Sequence, residues 1–230
     1  MFSFCFPMDE NRLEQFSVTK RLYDTMPQVK EFVIPTRNEL KVGRYLDDHK
    51  LSKNVRLIPY TVEAGFNPAK ALNLAVRASK YDQIIITSPE VKPKTDVLAQ
   101  LEELIGANVV CQVFDEDEQG NLTSLVNSGY RGQSPAMYFL AMFNKADIEK
   151  INGWDEDFMA GYAYEDDDFG ARWVRAAIPF MIREDIQAIH QYHPRSESIA
   201  GGLGVNFTKY SDNNDSGVIQ CSNGLTKLDL

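Results

Sequence analysis

The sequence predicts a single α/β domain in which a mostly parallel β-sheet lies between layers of helices. Across the first half, apolar segments of strand length alternate with amphipathic segments of helix length, which is typical of β-α-β units. The chain has 230 residues, a length that suits one such domain. Hydrophobic residues make up 43% of the chain and aromatic residues 11%, so a sizeable core can form and overall disorder is excluded.

The first half contains the clearest elements. Strands are predicted at short runs rich in apolar residues, 2–7, 31–35, 55–60, 83–87 and 108–114, of which 83–87 is the run expected to be buried on both faces. Helices are predicted where apolar residues recur every three or four positions, at residues 9–26, 68–79 and 96–105. Asn67 is the expected N-cap of the second of these helices, and Pro68 suits its first position. Because ligands of such sheets bind beyond the carboxyl ends of the strands, a site is expected at residues 7–10, 36–38, 63–67 and 88–91.

The second half has a different pattern. An acidic turn is predicted at residues 115–121, strands at 137–143, 180–183 and 188–192, and helices at 146–151 and 169–177. After Pro194 the sequence is rich in Ser, Gly, Asn and Asp, so residues 195–230 are expected to form a mobile loop or cover.

Charge and cysteine content exclude several protein classes. Asp and Glu number 33 against 24 Lys and Arg, a net charge of -9 that argues against a nucleic-acid binder. No apolar run reaches the roughly 18 residues of a transmembrane helix. The three cysteines are far apart in sequence, which disfavours a disulfide framework and indicates a reducing compartment. We therefore expect a cytoplasmic enzyme or one domain of a larger protein.

The segment from residue 155 to residue 168 is unusually acidic. No Lys or Arg occurs between Lys150 and Arg172. Acids favour the start of a helix, which accounts for one or two carboxylates but not for four in succession. Such clustering raises the pKa of some members unless a cation or a donor is near. The carboxylates are Asp155, Glu156, Asp157, Glu165, Asp166, Asp167 and Asp168.

Two of the three histidines, His190 and His193, follow this acidic segment on a predicted strand. Imidazole together with carboxylate suits Mn²⁺ or another divalent ion. The usual phosphate-binding loops, a nucleophile elbow and an activated cysteine are all without support in the sequence.

Two segments of the second half, residues 151–158 (Ile-Asn-Gly-Trp-Asp-Glu-Asp-Phe) and 161–172, resemble the acceptor-side motif of GT-A glycosyltransferases. The chondroitin-polymerase-like and β-1,4-galactosyltransferase-like groups are the most similar. Residues 188–191 resemble the later strand that supplies a metal-binding histidine in those enzymes. The first half resembles the nucleotide-sugar half of family-2 transferases, so the resemblance covers about residues 2–195.

The resemblance implies a GT-A fold and an inverting, metal-dependent transfer of a hexosyl or hexosaminyl group from a nucleotide-sugar, in particular a UDP-sugar, to a glycan hydroxyl. It implies that residues 1–114 bind the nucleotide-sugar, that residues 115–194 form the acceptor and catalytic half, and that residues 195–230 are a flexible tail or cover. Asp166 would be the general base and Glu165 would bind acceptor hydroxyls. Glu90 and His190 would hold Mn²⁺ or Mg²⁺.

Donor binding is expected at the strand ends and at the helix that follows the third strand. The residues are Pro7, Asp9, Arg37, Asn38, Asn67, Lys70 and Asn73. Asp9 or Asn38 is expected near the base or ribose, and Arg37 or Lys70 near the phosphates.

The sequence departs from the family pattern at two places. Ser88 stands where the first Asp of the Asp-x-Asp motif is usual, and Ala163 and Tyr164 replace two glycines. A non-catalytic nucleotide- or glycan-binding domain of the same fold therefore remains an alternative. A nucleotidyltransferase is a further alternative, disfavoured because no Gly-rich, basic loop follows the first strand.

Overall fold

A computed structural model describes residues 1–61, 66–126, 137, 139–160, 163–194 and 203–226. In these ranges one sheet lies between two layers of helices. The strands are β1 (Phe2–Cys5), β2 (Lys30–Thr36), β3 (Val55–Pro59), β4 (Gln83–Thr87), β5 (Val91–Pro93), β6 (Val109–Glu116), β7 (Leu122–Val126), β8 (Leu140–Asn144) and β9 (Met181–His190). The helices are α1 (Leu13–Thr25), α2 (Glu39–Asp48), α3 (Pro68–Ala78), α4 (Val97–Glu102), α5 (Lys145–Lys150), α6 (Glu165–Arg175) and α7 (Leu203–Asp215), with short 3-10 helices at Glu10–Arg12 and Glu156–Ala160.

The strand order is β3-β2-β1-β4-β8-β6-β9-β5, and β7 pairs with β6. The first four strands are parallel, with Phe4 opposite Phe32 on one side and Ile85 on the other. β8 runs antiparallel to both β4 and β6, and β9 runs parallel to β6. The carboxyl ends of β1 to β4, β6 and β9 therefore meet at one edge of the sheet. The predicted α/β class with a mostly parallel sheet flanked by helices is confirmed.

Apolar side chains fill the space on both faces of the sheet. On one face α1, α2 and α4 cover a cluster of stacked rings that includes Phe4, Phe6 and Phe32. On the other face α3, α5 and α6 cover a cluster in which Trp154 stacks on Phe169 with ring centroids 4.0 Å apart. This second cluster anchors residues 151–158 and 163–172, which we call the acidic motif, to the sheet.

Several helices and strands differ from those that the sequence patterns predicted. α2 was not expected, because only Val42 and Leu46 of its residues are buried and the apolar stripe is short. The two strands expected at 180–183 and 188–192 form the single strand β9, which has an irregular register against β6. β6 continues to Glu116, so the expected acidic turn begins two residues too early.

The end of the chain is more ordered than expected. Residues 203–226 contain α7 and a segment that returns to the acidic motif, where Leu225 N donates to Asn152 O at 2.9 Å. The remaining parts of the expected loop, 195–202 and 227–230, lie outside the described residues.

A buried ion pair holds the acidic motif together. The Arg172 guanidinium donates to Asp168 Oδ2 at 2.6 Å and to the carbonyl oxygens of Ile151 and Gly153 at 2.8 Å. Asn213 of α7 donates to the second Asp168 oxygen at 2.8 Å. The side chains of Arg172 and Asp168 are 0% and 1% exposed. One guanidinium therefore joins α6 to the turn at residues 151–153.

We predict that Arg172→Met lowers the free energy of unfolding by about 3–5 kcal/mol, because it leaves the Asp168 carboxylate buried without its charged partner. The measurement is urea denaturation followed by circular dichroism. Arg183→Met is the matched control, because its partner Asp185 is exposed and the pair lies at the surface. Equal effects of the two substitutions would contradict the structural role of Arg172.

Candidate active site

The first part of the candidate site lies at the carboxyl ends of β1 and β2. Asp9 follows β1 and accepts a hydrogen bond from Asn11 N at 2.9 Å. Arg37 follows β2, pairs with Glu10 at 3.2 Å and lies over the Phe66 ring at 5.8 Å. The structure thus brings Asp9, Arg37 and the entry to α3 to the same edge of the sheet.

Two of the other expected donor-binding residues, Asn38 and Asn67, begin helices at this edge. Asn38 caps α2 by accepting from Lys41 N at 3.0 Å. Asn67 caps α3 by accepting from Lys70 N at 3.0 Å, and it donates to Glu156 O at 3.2 Å. The predicted cap at Asn67 and first position at Pro68 are confirmed. Pro7 is partly buried just after β1.

Asn73 is placed differently from the other donor-binding candidates. It is 0% exposed, and its amide donates to Trp154 O at 2.8 Å and to Glu156 Oε1 at 3.0 Å. Its carbonyl oxygen accepts from Trp154 N at 3.0 Å. These bonds join α3 to the acidic motif, so Asn73 holds the motif in position, and its contact with the donor stays a prediction.

The second part of the site is a cluster of Glu90, His190 and His193. Glu90 immediately precedes β5. Val91 of β5 pairs with His190 of β9, which brings Glu90 close to His190. His190 Nε2 lies 3.5 Å and His193 Nε2 lies 3.7 Å from Glu90 Oε1. One ligand atom from each residue fits within a group no more than 4.8 Å across. All three side chains are mostly buried.

Asp115 contacts the ring nitrogen of His190 that does not face Glu90. It lies opposite His190 in the β6–β9 pairing, and its Oδ1 is 2.9 Å from His190 Nδ1. A carboxylate on the far nitrogen of a ligating histidine fixes the ring and its tautomer. With Nδ1–H directed to Asp115, the Nε2 nitrogen faces Glu90 and is available to a cation.

The chemistry of the cluster fits a divalent cation. Glu90 Oε2 is buried and has no hydrogen-bond partner within the described ranges. Burial alone would raise the pKa of Glu90, but the hydrogen bond and charge of His190 outweigh it, and the pKa is lowered. For His190, burial acts to lower the pKa, but the carboxylates of Glu90 and Asp115 raise it. The cluster contains one carboxylate and two imidazoles, a ligand set that suits Mn²⁺.

The third part of the site is the start of α6. α6 precedes β9 and packs on the sheet through Phe169 and Trp173, so we expect its first residues toward the carboxyl edge, where the other two parts lie. Burial, followed by the neighbouring charges of Glu165 and Asp167, raises the pKa of Asp166 well above its ordinary value. Burial also raises the pKa of Glu165. Asp168 is set apart from these acids by its pairing with Arg172.

Two residues of the candidate site were not identified from the sequence. His193 was recognised as part of a histidine pair but not as a ligand, although a His-x-x-His spacing just after a strand was available as a signal. Asp115 was placed in a turn. Its role depends on the pairing of β6 with β9, which are 65 or more residues apart and which no local pattern reveals.

Comparisons with known proteins bear on the fold and the motif. Residues 127–195, which include α6 and β9, match the N-terminal domain of galactosyltransferase. S. aureus TarS 1–349 in complex with UDP aligns with a TM-score of 0.68 and 12% identity, over 97% of this chain and 67% of that one. The chain has the GT-A glycosyltransferase fold. The resemblance seen in residues 151–172 is thereby confirmed.

Two further GT-A structures are similar over most of the chain. Drosophila β1,4-galactosyltransferase 7 in complex with xylobiose aligns with a TM-score of 0.65 and 12% identity, over 99% of this chain and 84% of that one. Pyrobaculum calidifontis mannosyltransferase PcManGT with GDP-Man and Mn²⁺ aligns with a TM-score of 0.60 and 16% identity, over 92% and 64%. Curated protein sequences gave no significant match. No helix in the described ranges is long and apolar enough to cross a membrane.

We predict that Asp115→Asn weakens Mn²⁺ binding by roughly 10–100-fold, because His190 loses the carboxylate that orients its ring. Titration of the full chain with MnCl₂, followed by electron paramagnetic resonance of free Mn²⁺, measures the effect. Asp117→Asn is the control, since Asp117 lies in the nearby turn and bonds Asn121. Unchanged affinity in Asp115→Asn would contradict the assignment.

We predict that Asp166→Asn makes the protein more stable than the wild type at neutral pH. The folded-state pKa of Asp166 is raised, so the folded chain holds this proton over a pH range in which the unfolded chain has lost it. The free energy of unfolding of the wild type therefore falls as pH rises through that range. The variant has no proton to lose at this position and keeps its stability. Urea denaturation from pH 4 to pH 8 measures it, and the two proteins should converge near pH 4, the ordinary Asp value.

Asp117→Asn provides a control of opposite sign. Hydrogen bonds from the Asn121 side chain and backbone lower the pKa of Asp117, so this carboxylate stabilises the protein above its ordinary pKa. Parallel stability profiles for wild type and Asp166→Asn would show that the Asp166 pKa is not raised.

Proposed function

We propose that this chain is an inverting, metal-dependent glycosyltransferase that transfers a hexosyl or hexosaminyl group from a UDP-sugar to a hydroxyl of a glycan. The observation that carries the proposal is the presence of two groups of titratable side chains on elements of this fold. One is the Glu90, His190 and His193 cluster with Asp115 behind it, and the other is the pair Glu165 and Asp166 at the start of α6.

The complexes of similar structures support this proposal. UDP is bound in TarS, and GDP-Man with Mn²⁺ is bound in PcManGT. Xylobiose is bound in the Drosophila galactosyltransferase. A nucleotide-sugar, a divalent cation and a carbohydrate are therefore ligands of similar structures, which supports the proposal that this chain binds one of each class.

Proton removal is the task of Asp166. A sugar hydroxyl is a poor nucleophile at neutral pH, and a base within hydrogen-bond reach accelerates its attack. A raised pKa makes Asp166 a stronger base than an ordinary aspartate once it is ionised. The hydroxyl oxygen forms a bond to the anomeric carbon as the bond to the diphosphate oxygen breaks. Attack from the opposite face inverts the anomeric centre, and Glu165 would hold the acceptor hydroxyls.

Glu90, His190 and His193 would hold the divalent cation beside the diphosphate. When bound, the cation supplies positive charge that neutralises the leaving diphosphate. The residues at the other strand ends would hold the nucleotide: Asp9 or Asn38 at the base or ribose, Pro7 and Asn67 along the cleft, and Arg37 or Lys70 at the phosphates.

The cellular location is part of the proposal. Cys5, Cys111 and Cys221 are buried free thiols. Free thiols persist in a reducing compartment, which supports a cytoplasmic location.

The test is turnover of a panel of UDP- and GDP-sugars with and without Mn²⁺, both as hydrolysis and in the presence of mixed glycan acceptors. Release of the nucleoside diphosphate that depends on Mn²⁺ and stops in excess chelator is expected. Donor binding by calorimetry without any turnover would favour the non-catalytic alternative.

We predict that Asp166→Asn lowers turnover by roughly 10²-fold or more at saturating donor, because the amide cannot accept the proton. Donor affinity should stay within error, since Asp166 would act on the acceptor. Asp167→Asn is the matched control, as its carboxylate is adjacent in sequence but is not assigned as the base. Near-wild-type turnover of Asp166→Asn per folded molecule would contradict the assignment.

A further inference from the structure

A polar pocket lies at the edge of the sheet opposite the candidate active site. Lys30 is the first residue of β2, Asn54 directly precedes β3, and Tyr81 lies two residues before β4. These strands are parallel, so their amino-terminal ends meet at the edge away from their carboxyl ends. The pocket has a volume of about 420 Å³, and its walls include Asp24, Met26, Lys30, Lys53, Asn54 and Tyr81. We call it the lysine pocket.

Lys30 places a largely buried ammonium group in the wall of the lysine pocket. The residue is 8% exposed, and its Nζ donates to Met26 O at 2.5 Å and to Gln28 O at 3.1 Å. Both acceptors are backbone carbonyl oxygens, which carry no full negative charge. Because an ammonium group has three N–H donors, one donor is left for a ligand.

The carboxylate in the pocket wall is already paired. Lys20 Nζ donates to the two oxygens of Asp24 at 2.6 and 2.7 Å, and the Lys20 side chain is 0% exposed. The same ammonium group lies 4.4 Å from the centroid of the Phe32 ring. The charges of Lys20 and Asp24 therefore cancel. Lys30 and Lys53 make no ion pair with a residue in the described ranges, so two positive charges of the pocket have no carboxylate partner.

The three ammonium groups are close enough to influence one another. Burial lowers the pKa of Lys30, Asp24 raises it, and the charges of Lys20 and Lys53 lower it again, so that it lies below its ordinary value. Burial also lowers the pKa of Lys20, and Lys53 acts in the same direction. Positive charge is thus concentrated at one place in a chain whose net charge is -9. A bound anion would offset this repulsion.

We propose that the lysine pocket binds a phosphate monoester, with its phosphate between Lys30 and Lys53. Such a phosphate carries a charge of about -1.5 to -2 at neutral pH, which matches two ammonium groups, whereas a single carboxylate would leave one of them unmatched. The volume lies within the range of small-molecule sites, roughly 300–1,000 Å³, so the organic part of the ester has room. The amide of Asn54 and the hydroxyl of Tyr81 are suited to bind its hydroxyl groups.

Binding here is independent of the proposed function. No residue of the candidate active site lines the lysine pocket. A nucleotide-sugar at the carboxyl ends of the strands would lie on the other side of the sheet. The phosphate monoester is therefore a second ligand, and its binding requires neither the donor nor a divalent cation.

The test is isothermal titration calorimetry of the full chain in excess EDTA, which prevents binding through a metal ion at Glu90. The probes are glycerol 3-phosphate, ribose 5-phosphate and glucose 6-phosphate, with inorganic phosphate and succinate as comparisons. At least one monoester should bind more tightly than inorganic phosphate and succinate. Lys30→Met and Lys53→Met should each raise its dissociation constant roughly tenfold. Lys53 is exposed, so its variant provides the test if Lys30→Met does not fold.

Two further variants serve as controls and should bind the monoester as the wild type does. Lys150→Met removes a lysine whose side chain is 63% exposed at the end of α5, and Arg37→Met removes a cation from the opposite edge of the sheet. Equal binding by wild type and Lys53→Met would overturn the proposal, as would binding of none of the three monoesters. Loss of binding in Arg37→Met would assign the phosphate to the candidate active site. Succinate or inorganic phosphate binding as tightly as every monoester would overturn the assigned ligand class.

Discussion

The candidate site depends on the buried guanidinium of Arg172. Its hydrogen bonds to Asp168 and to the carbonyl oxygens of Ile151 and Gly153 join two segments that no strand pairing connects. Asn73 makes the equivalent link from α3, with bonds to both the N–H and the carbonyl of Trp154. The acidic motif is therefore fixed from both sides by buried polar groups, whose removal leaves unpaired partners in the core.

This fixation explains how four successive acids can have different roles. Asp168 lies inward and is neutralised by Arg172. Glu165 and Asp166, three and two residues earlier, have no cation among the described ion pairs, and their pKa values are raised. Glu90 experiences the opposite influence, because His190 lowers its pKa. Carboxyl groups whose environments move their pKa values in opposite directions suit the separate tasks of proton transfer and cation binding.

The sequence predicted correctly the elements that are determined by neighbouring residues. The continuous apolar run at β4 and the Asn67-Pro68 start of α3 are properties of adjacent residues, and both were predicted correctly. The unusual density of acids at Glu165 to Asp168 also appears in the sequence itself. α2 was missed because a helix with two buried residues leaves a weak apolar pattern.

The features that the sequence did not predict depend on contacts between distant segments. Asp115 becomes a partner of His190 only through the β6–β9 pairing, and α7 is held by Asn206 and Asn213, polar residues that in sequence resemble those of a loop. A helix docked by polar contacts has no apolar stripe to predict it. The same polar docking leaves the apolar side chain of Phe207 exposed to solvent.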